Sequence, residues 1–173
     1  MAEPDGTIFW HFPAVRAVFL PELGMKISRS LRQTLRKNLY EVRFNTAFAD
    51  VIAGCADREE TWISPEIIRV YTELHQMGYV HSVESWHQGE LVGGLYGVTI
   101  GGVFFGESMF TRMRDASKVA FVALMERLRE RSFVLLDSQY PNHHTLSLGA
   151  HLVSSEEFQL LLAYGLQRQC QFP

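Results

Sequence analysis

Two periods of apolar residues run along the chain. In "SPEIIRVYTELHQMG", Ile67, Ile68, Tyr71 and Leu74 recur three and four apart, which is the period of a helix face. Ser64 stands at the capping position, Pro65 fits the first turn, and Gly78 ends the run. Leu31 and Leu35 place a shorter helix over Arg29–Asn38 behind Ser28, with Arg29, Arg32 and Arg36 on a neighbouring face. A long helix follows Asp115, with Ala116, Val119, Ala120, Ala123, Leu124 and Leu128 as its stripe. Ser154 and Glu157 form a capping box that opens a last helix in "SSEEFQLLLAYGL".

Elsewhere the period is two. "EVRFNTAF", "YVHSVESW" and "LVGGLYGVTI" alternate as strands, with "HQGE" turning the second into the third. Gly101-Gly102 turn again into "VFFG", which Glu107 closes. The run in "SFVLLDSQ" reads as a buried strand, and Val15–Leu20 as a short one within an otherwise irregular residues 1–25, punctuated by Pro4, Pro13 and Pro21. "PNHHTLSLGA" reads as a loop. Helices and an antiparallel meander in this order describe an α+β fold laid out like the N-acetyltransferase (GNAT) superfamily, whose sheet splays near its middle to admit an acyl donor. Such a fold does not by itself fix a reaction.

Composition narrows the class. A chain of 173 residues, 47% hydrophobic and 20% charged, is expected to form one globular domain, here 1–173. No apolar run reaches about 18 residues, so no membrane span is expected. Acids in "MAEPDGTIFWHF" argue against a signal peptide. Cys55 and Cys170 lack CxxC spacing and are expected to stay reduced, in keeping with a cytoplasmic protein. The net charge of −3 is uneven. Lys26–Arg43 carries six basic residues and one acid, so the remainder carries −8, and a localised anionic partner is implied.

Three polar residues stand where apolar strands end. Asp137 and Gln139 are two apart and so face one side of a strand, and Glu107 closes the meander. They are candidates for catalysis, with loop capping as the structural alternative. His143, His144 and His151, with His75, His81 and His87, show no metal-ligand spacing, and no metal is expected. No G-x-S-x-G elbow is present. An acetyl-CoA enzyme needs a glycine-rich loop before the long helix to hold diphosphate on backbone amides. Here that stretch reads "GESMFTRMRDASK", with no glycine beyond Gly106 and with Glu107 close to the diphosphate position, where it would repel the cofactor.

"ELVGGLYG", "GESMFTR", "ASK" and "DSQYPNHHTLSLGA" together, with "TWISPEII" and "FNTAFADVIAGCADREETWI", resemble the leucyl/phenylalanyl-tRNA–protein transferases. The likeness runs from about Arg16 to Leu166. It implies transfer of leucine or phenylalanine from aminoacyl-tRNA to the α-amine of proteins that begin with Arg or Lys, feeding N-end degradation without ATP, metal or other cofactor. Carried over by motif, Asp137 polarises Gln139, Gln139 handles the proton of the attacking amine, Glu107 holds the cationic acceptor, and Asn142 orients the peptide. Trp62, Leu95, Phe104, Met109, Leu124, Leu128 and Leu136 match the aminoacyl pocket. Leu124 and Leu128 stand where the family has aromatics, and a methionine donor would also fit. Arg29, Arg32, Arg36, Lys37 and Arg43 match the basic cluster that contacts tRNA. Family members usually carry a further N-terminal portion before the region matching "IFWHFPAVRAV". A monomer is expected. The alternatives are an acyl-CoA-dependent N-acyltransferase and a non-catalytic tRNA- or peptide-binding module.

Overall fold

The computed structural model describes residues 12–173; the expectations for Pro4 and for the acidic start lie outside the described residues. One mixed sheet of seven strands organises them: β1 (Val15–Phe19), β2 (Glu41–Phe44), β3 (Val80–His87), β4 (Glu90–Ile100), β5 (Val103–Thr111), β6 (Leu135–Asp137) and β7 (His151–Ser154). Their spatial order is β2-β3-β4-β5-β6-β1-β7. Only β5 and β6 pair in parallel; every other neighbour is antiparallel. The helices are α1 (Arg29–Arg36), α2 (Phe48–Ala56), α3 (Pro65–Gln76), α4 (Ala116–Glu130), α5 (His143–Ser147) and α6 (Ser155–Leu166).

Adjacent residues of a strand face opposite sides, and β4 divides the core accordingly. Leu95 joins Phe104, Phe121, Leu124, Leu128 and Leu136 in the cluster built on α4. Tyr96 joins Phe48, Val51, Ile52, Cys55, Ile63 and Val80 in the cluster under α2 and α3. Gly93 lets α4 approach: a Cβ there would lie 2.6 Å from that of Ala116.

Ser28, Ser64 and Ser154 cap α1, α3 and α6 through their hydroxyls, as their positions predict. Three elements depart from the sequence reading. The strand expected to run through "EVRFNTAF" stops at Phe44, because Asn45 turns into left-handed backbone (φ 59°) and α2 begins at Phe48. The Glu84 carboxylate, fully buried on β3, accepts from the amides of Thr46 and Ala47 and from the hydroxyls of Thr46 and Ser82, and so holds the start of α2. The expected loop "PNHHTLSLGA" contains α5, and an unforeseen strand, β7, follows it. β5 does not end at Glu107 but runs on to Thr111. Asp115 precedes α4 but makes no capping bond; its carboxylate instead accepts from Thr34 of α1 at 2.9 Å.

Candidate active site

β5 and β6 pair over three positions, from Val103↔Leu135 to Phe105↔Asp137. β6 then ends while β5 continues along β4. The wedge between them opens a cavity of about 280 Å³ that reaches both core clusters. Leu95, Phe104, Met109, Phe121, Leu124, Leu136 and Leu148 make its apolar part, and Arg58, Tyr96, Glu107, Ser108, Gln139 and Asn142 its polar part.

A β-bulge aims Glu107. Gly97 stands opposite Gly106 and Tyr96 opposite Ser108, which leaves Glu107 without a partner on β4. Gly97 makes the bulge possible, since a Cβ there would lie 2.3 Å from both the Phe104 ring and the Phe105 carbonyl. Burial pushes the Glu107 carboxyl up to about 7; the nearby Tyr71 hydroxyl offsets part of this, the charge of Asp137 adds to it, and Gln139 offsets a little more.

Asp137 is fully buried and does not line the cavity. It takes the Arg16 guanidinium, with Nε at 3.2 Å from Oδ1 and Nη2 at 2.5 Å from Oδ2, and accepts the Gln139 backbone N–H at 2.9 Å. The Gln139 carbonyl accepts from Ala17 of β1 at 2.9 Å. The alternation expected to align Asp137 with Gln139 stops there, because Gln139 adopts left-handed backbone (φ 63°). Its side-chain amide instead donates to the Gly106 carbonyl, 3.4 Å away and beside Glu107. Asn142 lines the cavity while capping α5, its Oδ1 accepting from the Thr145 amide at 2.9 Å.

Five of the seven expected pocket residues line the cavity: Leu95, Phe104, Met109, Leu124 and Leu136. Leu128 does not, because it lies a turn further along α4 and is fully buried in the core. Trp62 does not either; it precedes α3 and packs on the cluster beneath that helix. Sequence reasoning missed Tyr71, Arg58 and Phe121. Tyr71 sits on an apolar stripe, yet a buried phenol needs a polar partner, and that was the available signal. Arg58 donates to the Cys55 carbonyl at 2.8 Å and to the Ser108 hydroxyl at 3.0 Å, and closes one side of the cavity.

Three of the histidines bond locally, while His144 lines the cavity. A ring nitrogen of His75 meets the Val80 carbonyl, one of His81 the Asn45 amide, and one of His87 the Leu39 carbonyl. Among the described residues, no three His, Cys, Asp or Glu side chains are grouped to hold a metal. Cys55 and Cys170 are both free.

Arg29, Arg32, Arg36 and Lys37 are exposed on and just beyond α1. Arg43 differs: its guanidinium pairs with Glu41 at 2.8 and 2.9 Å and lies 4.5 Å from the Trp86 ring centre.

An apolar slot that ends at a carboxylate and a carboxamide can seat an apolar acyl group beside a cationic amine, the arrangement an acyl-group transferase needs. Comparison with known proteins makes this specific. The chain belongs to the leucyl/phenylalanyl-tRNA–protein transferase family, whose model, described as "Leucyl/phenylalanyl-tRNA protein transferase", matches residues 18–163. Relatives of that name include one from Herpetosiphon aurantiacus, 46% identical over 98% of this chain and 89% of its own length. Another, from Gloeobacter violaceus, is 51% identical over 99% and 89%, and one from Aromatoleum aromaticum is 54% identical over 89% and 66%. Among solved structures, a conserved protein of unknown function from Bacteroides thetaiotaomicron matches with TM-score 0.53 at 12% identity, covering 91% of this chain and 57% of that one. A functionally unknown protein from Staphylococcus epidermidis matches with TM-score 0.52 at 8% identity, covering 81% and 57%. Both speak for the fold alone.

Proposed function

We propose that this protein transfers leucine, phenylalanine or, less specifically, methionine from aminoacyl-tRNA to the α-amine of proteins that begin with Arg or Lys, and so commits them to N-end degradation. The observation that carries this reading is the bulged Glu107 carboxyl at the end of the apolar slot. Leu95, Phe104, Met109, Leu124 and Leu136, with Phe121, take the donor side chain. Such a slot selects by volume, at roughly 1–3 kcal/mol per methylene. Glu107 attracts the cationic acceptor, and Asn142 orients its backbone from the rim.

The acceptor amine loses a proton and attacks the ester carbonyl carbon. The new C–N bond forms, the C–O bond to the tRNA ribose breaks, and that oxygen leaves with a proton. Gln139 positions the amine and passes its proton on. A carboxamide is a weak base, so its contribution is mostly geometric, and placing amine and ester together is worth roughly 7–11 kcal/mol. Asp137 acts through the backbone of Gln139, with Arg16 holding it in place. Arg29, Arg32, Arg36 and Lys37 meet acceptor-stem phosphates, while Arg43, already paired with Glu41, adds less.

The parting of β5 from β6 supports an N-acetyltransferase-like reading of the fold, with the whole chain acting as one domain. Transfer from an activated ester needs no cofactor. On this reading the protein works as a monomer in the cytoplasm; among the described residues no helix is long and apolar enough to cross a membrane. Against an acyl-CoA donor, the carboxylate at the start of α4 is Asp115 rather than the expected Glu107, which lies well inside β5. The obstacle to a diphosphate there is of the same sign.

The test offers purified protein tRNA charged with labelled leucine or phenylalanine, together with peptides starting with Lys, Arg, Asp or Ala. Label on the Lys and Arg peptides alone is expected. Label on the Asp peptide would shift the acceptor class, and no transfer to any peptide would overturn the reading.

A further inference from the structure

The polar end of the cavity holds a phenol that the steps above leave unused. Tyr96 stands on β4 opposite Ser108, beside the bulge that carries Glu107. Its ring is fixed edge-on between Phe48 at 5.9 Å and Tyr71 at 5.6 Å. The side chain is fully buried and lines the cavity. Its hydroxyl has no hydrogen-bond partner among the described residues. Tyr71, by contrast, lies close enough to Glu107 for the two to influence each other's titration. A buried hydroxyl without a partner destabilises a fold, and phenylalanine would fill the same space without that cost. A polar group kept under those terms, on a residue that lines a cavity and stands beside the carboxylate that receives a cation, is placed for a ligand.

We propose that Tyr96 positions the acceptor amine, its phenolic oxygen accepting one N–H of the incoming nitrogen while Glu107 accepts another. The inference rests on the transferase reading above and adds a selection rule to it. A primary ammonium has three N–H groups. When one proton leaves, the two that remain are held by Glu107 and Tyr96, and the lone pair points in the third direction. That geometry selects primary amines. An N-methylated acceptor, once deprotonated, keeps a single N–H and cannot be anchored at both points.

The experiment compares wild-type protein with Tyr96→Phe, using a lysine-starting peptide and its Nα-methyl counterpart as acceptors. For the lysine peptide, kcat/KM is expected to fall about tenfold in the variant, the scale of one hydrogen bond to a charged group. The preference for the unmethylated peptide should shrink, the KM for charged tRNA should hold, and Tm should stay level or rise. A lysine-peptide kcat/KM within twofold of wild type would overturn the proposal. So would a loss that comes with a lower Tm and a higher KM for tRNA. If wild-type protein labels no peptide, the transferase reading falls separately. Calorimetric titration of the same lysine peptide into both proteins then tests Tyr96, and equal dissociation constants would overturn its role.

Discussion

Glu107 shows how one residue sets a pH response. Its carboxyl is held near 7, so the anion that attracts an acceptor forms only as pH rises through neutrality. The KM for a lysine peptide is therefore expected to fall between about pH 6 and 7.5, as the carboxylate appears, and Glu107→Gln should flatten that dependence and raise KM throughout. Steady-state kinetics across the range decides it. Position 107 is legible in sequence as a carboxylate out of place, but the bulge behind it is not, because it depends on the register of β4 against β5. The role of Asp137 is hidden for a similar reason. Its partner Arg16 lies 121 residues away, and no local pattern joins the two.

Elements signalled by their own ends were the legible ones. Serine caps mark α1, α3 and α6, and period-two alternation marks β3 and β4. α2 escaped notice although Phe48, Val51, Ile52 and Cys55 recur at helical spacing, because its exposed face is Ala49, Asp50 and Ala53 rather than a charged stripe, and its N-terminus is held by Glu84 from another element. α5 and β7 are five and four residues long, too short for any period to show. Two predictions belong at this scale. Gly97→Ala forces a Cβ into the Phe104 ring and the Phe105 carbonyl, and should cost about 1–3 kcal/mol in a denaturant melt and raise acceptor KM by displacing Glu107. Arg16→Met strips a fully buried carboxylate of its partner. A stability loss of about 3–5 kcal/mol is expected, with kcat falling more than either KM, since Asp137 holds Gln139 rather than the substrate. Unchanged kcat in a folded variant would remove Asp137 from the mechanism.

Across the whole molecule, charge and titration act at a distance. If α1 meets tRNA phosphates, Arg32→Glu with Arg36→Glu should weaken donor binding and flatten the log-log dependence of affinity on salt by roughly 1–2. An unchanged slope would leave α1 a solvated face. The pH dependence of stability joins two remote groups. Glu107 is raised, so the native state binds the extra proton between about 4.5 and 7 and loses stability as pH rises there. His81, stacked on Phe172 and held to about 4 by burial, does the reverse: the unfolded chain takes up its proton, and stability is lost as pH falls from 6.5. The two slopes oppose each other between 4.5 and 6.5. Glu107→Gln should expose the acid-side loss as a Tm that drops from pH 6.5 to 4.5 more steeply than in wild type.

β1 comes before every other described strand in the chain, yet it is seated between β6 and β7. Growing from a ribosome at about 5–20 residues per second, Arg16 waits roughly 6–24 seconds before Asp137 is even made. Until then Arg16 has no carboxylate to hold, and the Ala17 amide lacks the Gln139 carbonyl it bonds. An unfinished copy therefore lacks a reactive centre, and on the function proposed here it draws nothing from the charged tRNA that its own synthesis is consuming.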